Sequence, residues 1–162
     1  MSFDAGFVLN NKAMSTSKYV SEVKQINQNN EIVYNFLSDF NNLGQFFNEY
    51  TLAQISQQIP NGSIDDFQTD TDSCRFTISS MGEAGFRIIE RESPKMIKIT
   101  GDGKIPMEIF LWIQILPVSA YQCKMRLTLH AKMNMMMKMV AGKKMKEGID
   151  KLADALAQFP YR

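Results

Sequence analysis

Apolar and polar residues alternate most cleanly in "YQCKMRLTLHAKM", residues 121–133. Cys123, Met125, Leu127, Leu129 and Ala131 share one face, and Lys124, Arg126, Thr128, His130 and Lys132 share the other. A period of two with one apolar face predicts a strand of an antiparallel sheet, buried on one side and solvated on the other. "MEIFLWIQIL", ended by Pro117, predicts its neighbour. There Ile109, Leu111, Ile113 and Ile115 form an aliphatic face, while Glu108, Phe110, Trp112 and Gln114 form the opposite one. Earlier strands are predicted in "SIDDFQTD", "SCRFTIS", "FRIIERE" and "MIKIT". The turns between them are marked by Pro60-Asn61-Gly62, "MGEAG", Ser93-Pro94 and "GDGKIP". "KYVSEVKQI", residues 18–26, adds a first strand on its β-branched content.

Helical spacing appears in two places. Ile32, Val33, Phe36, Leu37 and Phe40 form a stripe after a candidate N-cap at Asn29 or Asn30. Asp39 or Asn41 caps a second short helix, "NNLGQFFNEY". Near the other end, Met145, Ile149, Leu152, Ala153 and Leu156 predict a long helix stopped by Pro160. The expected order is strand, two short helices, about six antiparallel strands and a long C-terminal helix. The exposed apolar face of such a sheet needs a cover. The long helix is the element that can supply it.

Composition narrows the function classes. The chain has 162 residues and a formal net charge of +1, so no broad basic field points to nucleic acid. Its size predicts one domain, residues 17–162, after a weakly ordered lead-in over residues 1–16 in which Met14 is a second candidate start. No apolar run approaches the roughly 18 residues that span a bilayer. With no signal-peptide pattern, and with Cys74 and Cys123 read as reduced thiols, the expected location is the cytoplasm.

Candidate chemistry is sparse. His130 is the sole histidine and sits on the polar face of its strand, which excludes a histidine metal triad. Asp65, Asp66, Asp70 and Asp72 surround a turn without calcium-loop spacing. No metal, cofactor or catalytic residue is assigned. Arg87 and Arg91 share a strand face: if it is inner, either could clamp a ligand carboxylate, and if outer, both are solubilising charges. Phe110 and Trp112 either pack at an edge or mark a partner contact. Phe46 and Phe47 either gate a cavity mouth or fix the helix corner.

The run "NMMMKMVAGKKMK", residues 134–146, is the least ordinary stretch. Counted as helix at about 100° per residue, Met133, Met136, Met137 and Val140 group together. That group is out of phase with the Met145 stripe, and the slip near Gly142 reads as a kink or as the true helix start. The broken face argues against a membrane-surface helix. Missing Cys or His partners argue against copper. The expectation is that Met136 and Met137 cap one end of an apolar cavity, where flexible thioethers suit irregular space.

"NNEIVYNFLSDFNNLGQF" (29–46), "RFTISSMGEAGFRIIERESP" (75–94) and "EGIDKLADALAQ" (147–158) resemble the START and polyketide-cyclase-like (SRPBCC, birch pollen allergen-like) superfamily. The resemblance covers residues 18–159. It implies an α+β helix-grip fold, a seven-stranded antiparallel sheet wrapped around the long helix with two short helices after the first strand. It further implies a cavity between sheet and helix that holds a hydrophobic small molecule or lipid. The expected lining is Ile109, Leu111, Ile113, Met125, Leu127, Leu129, Met145, Ile149 and Leu152, with Phe46, Phe47, Met136 and Met137 at its ends. Three functions stay open: ligand binding, a cyclase or dehydratase-like enzyme using the same cavity, and a protein-contact domain with a filled core. The expected partner is a hydrophobic small molecule, with no nucleic acid and no stable membrane insertion, on a monomer or homodimer.

Overall fold

The computed structural model describes residues 14–45, 50, 52–53, 57, 63–105 and 107–161. The elements are β1 (Ser15–Val20), β2 (Lys24–Ile26), α1 (Asn30–Leu37), α2 (Phe40–Gly44), β3 (Ile64–Thr69), β4 (Ser73–Ile78), β5 (Gly82–Glu92), β6 (Met96–Gly103), β7 (Ile109–Ser119), β8 (Gln122–Met133) and α3 (Met135–Ala157). The strands make one antiparallel sheet in the order β1-β8-β7-β6-β5-β4-β3, with β2 also paired to β8. This is the helix-grip architecture, a sheet curled around one long helix with a helix pair beside it.

The sheet has eight strands where the pattern predicts seven, because residues 15–26 are split. Ser21 interrupts the ladder. Its hydroxyl accepts the Leu127 amide at 2.9 Å, and its own amide donates to the Leu127 carbonyl at 2.9 Å. The break frees the Val20 carbonyl and the Glu22 amide, and α3 satisfies both. Lys146 Nζ donates to Val20 O at 2.8 Å, and Asp150 Oδ1 accepts from Glu22 N at 3.2 Å. Lys24 Nζ lies 2.6 Å from Asp154. Lys146, Asp150 and Asp154, four apart, thus fasten one side of α3 to the break. The Lys146 hydrogen bond holds the Asp150 carboxyl below its usual range. Ser15 and Thr16, counted with the lead-in by the sequence pattern, already pair with Met133 and Lys132.

α1 starts where Asn29 accepts the Glu31 amide, and α2 where Asp39 accepts the Asn41 amide. Their buried residues, Val33, Tyr34, Leu37 and Phe40, seat the corner against the core. α3 packs on β8, β1 and β2. It turns Ile149, Ala153 and Leu156 inward, over Met125 and Leu127, which are 1% and 0% exposed.

α3 begins at Met135, and the slip at Gly142 is neither its start nor a break in it. Asn134 is the N-cap, its side chain accepting the Met137 amide at 2.8 Å. Met133 is not in the helix. It is the last residue of β8 and is fully buried. Asn134→Ala removes the partner of an otherwise orphan amide. It is expected to destabilise the fold by about 1 kcal/mol, read as a lower chemical-denaturation midpoint at an unchanged slope.

Candidate functional site: an apolar cavity beneath the long helix

α3 covers the β1–β2–β8 side of the sheet, and the space over the remaining strands is not filled. It forms a cavity of about 490 Å³. One wall is aliphatic: Ile109, Leu111 and Ile113 of β7, with Ile99 of β6 and Leu129 of β8. The alternation of β7 causes this, since every second residue turns inward. The opposite wall is aromatic: Phe67 of β3, Phe76 of β4 and Phe86 of β5. The Phe67 and Phe76 rings stack with centroids 6.4 Å apart. The roof is Met145, Gly148, Ile149, Leu152 and Leu156 of α3. Leu37, Phe40 and Leu43 of the helix corner, with Leu52, close one side, and Phe159 lies past the end of α3.

Gly148 is exposed yet lines the cavity, so it sits at the rim. A Cβ added there meets no atom within 4 Å. Leu152 beside it is 40% exposed.

Cys74 brings the one described hydrogen-bonding side chain to the lining. Burial pushes its thiol up to about 11, so it stands neutral near pH 7. Cys123 is fully buried, and its thiol is raised for the same reason. Among the described residues the lining holds no carboxylate, imidazole, amine or guanidinium, and no group of three His, Cys, Asp or Glu side chains could hold a metal.

The residues singled out in the sequence divide into three groups. Ile109, Leu111, Ile113, Leu129, Met145, Ile149 and Leu152 come together on the lining. Met125 and Leu127 do not: they face inward but are packed directly in the core with α3. Met136 and Met137 are also off the lining, and Met136 is 74% exposed. The Asn134 cap sets the helical phase, and that phase turns Met136 away from the sheet. Phe46 and Phe47 lie outside the described residues.

The two arginines do not share a face. A bulge between Ile88 and Glu90 breaks the alternation of β5. Arg87 pairs across from Thr100 on the outer side and meets Asp102 at 3.1 Å. Arg91 lies opposite Ile97, on the inner side but beyond the cavity. Its guanidinium donates to the carbonyls of Ser38 at 2.8 Å and Thr71 at 3.2 Å, and pairs with Asp72 at 2.8 Å. Ser38 caps the C-terminal end of α1, so Arg91 ties the helix corner to the sheet. His130 lies on the outer face, edge-on to Trp112 at 4.6 Å. Lys98 sits 4.9 Å from both the Phe110 and the Trp112 ring centroids, which makes that face a self-contained cation–π cluster.

Several lining residues were not marked in the sequence as cavity residues. Phe76 and Cys74 stood in a visible alternation, but nothing in one strand tells packed core from cavity wall. Phe159 follows the helix, where the sequence pattern marks only a helix end.

No protein-family model and no curated relative matches the sequence. Solved structures do match in fold. Norcoclaurine synthase from Thalictrum flavum superposes with a TM-score of 0.61 at 10% identity, covering 93% of this chain and 90% of that one. The same enzyme in complex with dopamine and hydroxybenzaldehyde gives 0.57 at 9% identity, covering 93% and 90%. A solution structure from Thermobifida fusca gives 0.57 at 14% identity, covering 87% and 91%. The chain thus shares the helix-grip fold to which its sequence bears a resemblance.

Proposed function

We propose that this protein binds a hydrophobic small molecule in the cavity beneath α3. The observation that carries the reading is the lining itself: about 490 Å³ walled by aliphatic and aromatic side chains, with a neutral thiol as its described hydrogen-bonding side chain. Ligand sites usually fall between about 300 and 1,000 Å³ and are mostly apolar. A protein-contact domain with a filled core would leave no such space. A cyclase or dehydratase mechanism needs a titratable group within hydrogen-bond reach of substrate. Arg87, Arg91 and His130 are all directed elsewhere. Ile109, Leu111, Ile113, Leu129, Met145, Ile149 and Leu152 are the proposed contacts. The fold of norcoclaurine synthase, seen with dopamine and hydroxybenzaldehyde, is compatible with small aromatic occupants in this architecture.

The lining also sets the ligand's character. A charged head placed wholly inside would lose its hydration without a partner. The ligand is therefore neutral over its buried part. Native mass spectrometry of the protein from its own host is expected to show a retained small molecule, and an apolar fluorescent dye is expected to compete with it. Protein that carries no added mass and leaves the dye dark at saturating concentration would overturn the reading.

A further inference from the structure

The first two turns of α3 carry an apolar surface that faces away from the cavity. Met136, Met139 and Val140 are 74%, 80% and 74% exposed, and Met135 at the helix start is 74% exposed. Positions 136, 139 and 140 are spaced i, i+3, i+4, which makes one stripe. The inward direction is that of Ile149, Ala153 and Leu156. At about 100° per residue Val140 and Met136 point well away from that direction, and Met139, nearer to it by phase, is the most exposed of the three. This differs from the grouping counted in the sequence, which included Met133 as though it were helical. With Met133 in β8, Met136, Met139 and Val140 remain as the exposed apolar stripe, and Lys143 continues it one turn on.

The charge around the stripe has one sign. From Met133 to Lys146 there is no acidic residue. Lys132, Lys138, Lys143 and Lys144 are exposed, and none joins an ion pair among the described residues. A chain of net charge +1 thus gathers unpaired lysines around its outward methionines. Nucleic acid would use the lysines but not the methionines. An exposed apolar stripe with unpaired lysines around the same helix end fits an anionic lipid surface. The thioethers enter the headgroup boundary, and the ammonium groups reach back to lipid phosphates and carboxylates.

We infer that this end of α3 docks reversibly on anionic membranes. The inference stands apart from the ligand reading, because none of these side chains lines the cavity. The test is co-sedimentation of the full chain with phosphatidylcholine vesicles, with and without phosphatidylserine. Binding is expected only with phosphatidylserine and is expected to weaken as salt rises. Lys138→Gln, Lys143→Gln and Lys144→Gln together are expected to weaken it on the order of 100-fold. Met136→Asp with Met139→Asp should remove it while the cooperative melt stays in place. The inference is overturned if the full chain leaves phosphatidylserine vesicles unbound, or if both variants sediment as well as the parent. It is equally overturned if sedimentation equilibrium shows a dimer that Met136→Asp with Met139→Asp dissociates, since the stripe would then be covered by a second copy.

Discussion

Gly148→Phe is expected to lower the affinity for an apolar probe at least about tenfold, a loss of 1.4 kcal/mol or more, without lowering the thermal midpoint. Gly148 stands at the cavity rim on α3, and nothing lies within 4 Å of where a side chain would begin. A benzyl group there has open space to enter, and that space is apolar. Filling it removes volume from the ligand. The backbone does not resist the change, because glycine inside a helix is a poor residue and phenylalanine a better one. Gly148→Ala is the control. It adds a methyl too small to block the cavity, and it relieves the glycine's entropic disadvantage by roughly 0.5–1 kcal/mol. For a chain of this size that raises the midpoint by about 1–4 °C, with probe affinity within about twofold. If Gly148→Phe binds the probe as the parent does, ligand does not occupy the space under α3.

The fold was legible because its longest signals are periodic. β8 and β7 each alternate over ten or more residues, and the structure keeps their inner faces as counted. The short helices were legible from their caps, Asn29 and Asp39. Periodicity failed wherever one residue changed the phase. Ser21 divides the first strand by substituting a hydroxyl for a backbone partner. The bulge at Ile88–Glu90 separates Arg87 from Arg91, and simple alternation cannot anticipate a bulge. The Asn134 cap puts the helix start at Met135, seven residues ahead of Gly142, and this leaves Met136 on the outer surface rather than at a cavity end.

The cavity itself was only half legible. Inward-facing residues can be read from a strand, but whether the opposite element touches them is a tertiary fact. Met125, Leu127 and Leu129 look alike on paper. α3 packs over the first two, while the third, two residues on, borders open space. The aromatic wall is assembled from β3, β4 and β5 together, and that assembly is not a property of any one strand.

Gly85 lets β4 and β5 approach closely beside this wall, and Gly85→Ala is expected to destabilise the fold more than the Asn134 substitution does. Gly85 pairs with Arg75 on β4 and Asp102 on β6, and it is buried. A Cβ at this position would fall 2.2 Å from the Cys74 carbonyl oxygen and 3.3 Å from the Arg75 Cα. These are backbone atoms held by the ladder, so no side-chain rotation relieves the overlap. β4 must move away from β5, and Cys74 and Phe76 of the aromatic wall move with it. Overpacking a well-packed site costs typically 1–3 kcal/mol, and a clash with backbone belongs at the upper end, about 3 kcal/mol. The midpoint should then fall by roughly 6–12 °C. Because the displaced strand carries the cavity wall, probe affinity should fall even at temperatures where the variant remains folded. A melt within about 2 °C of the parent would mean that β4 and β5 are not held as closely as the Gly85–Cys74 approach requires.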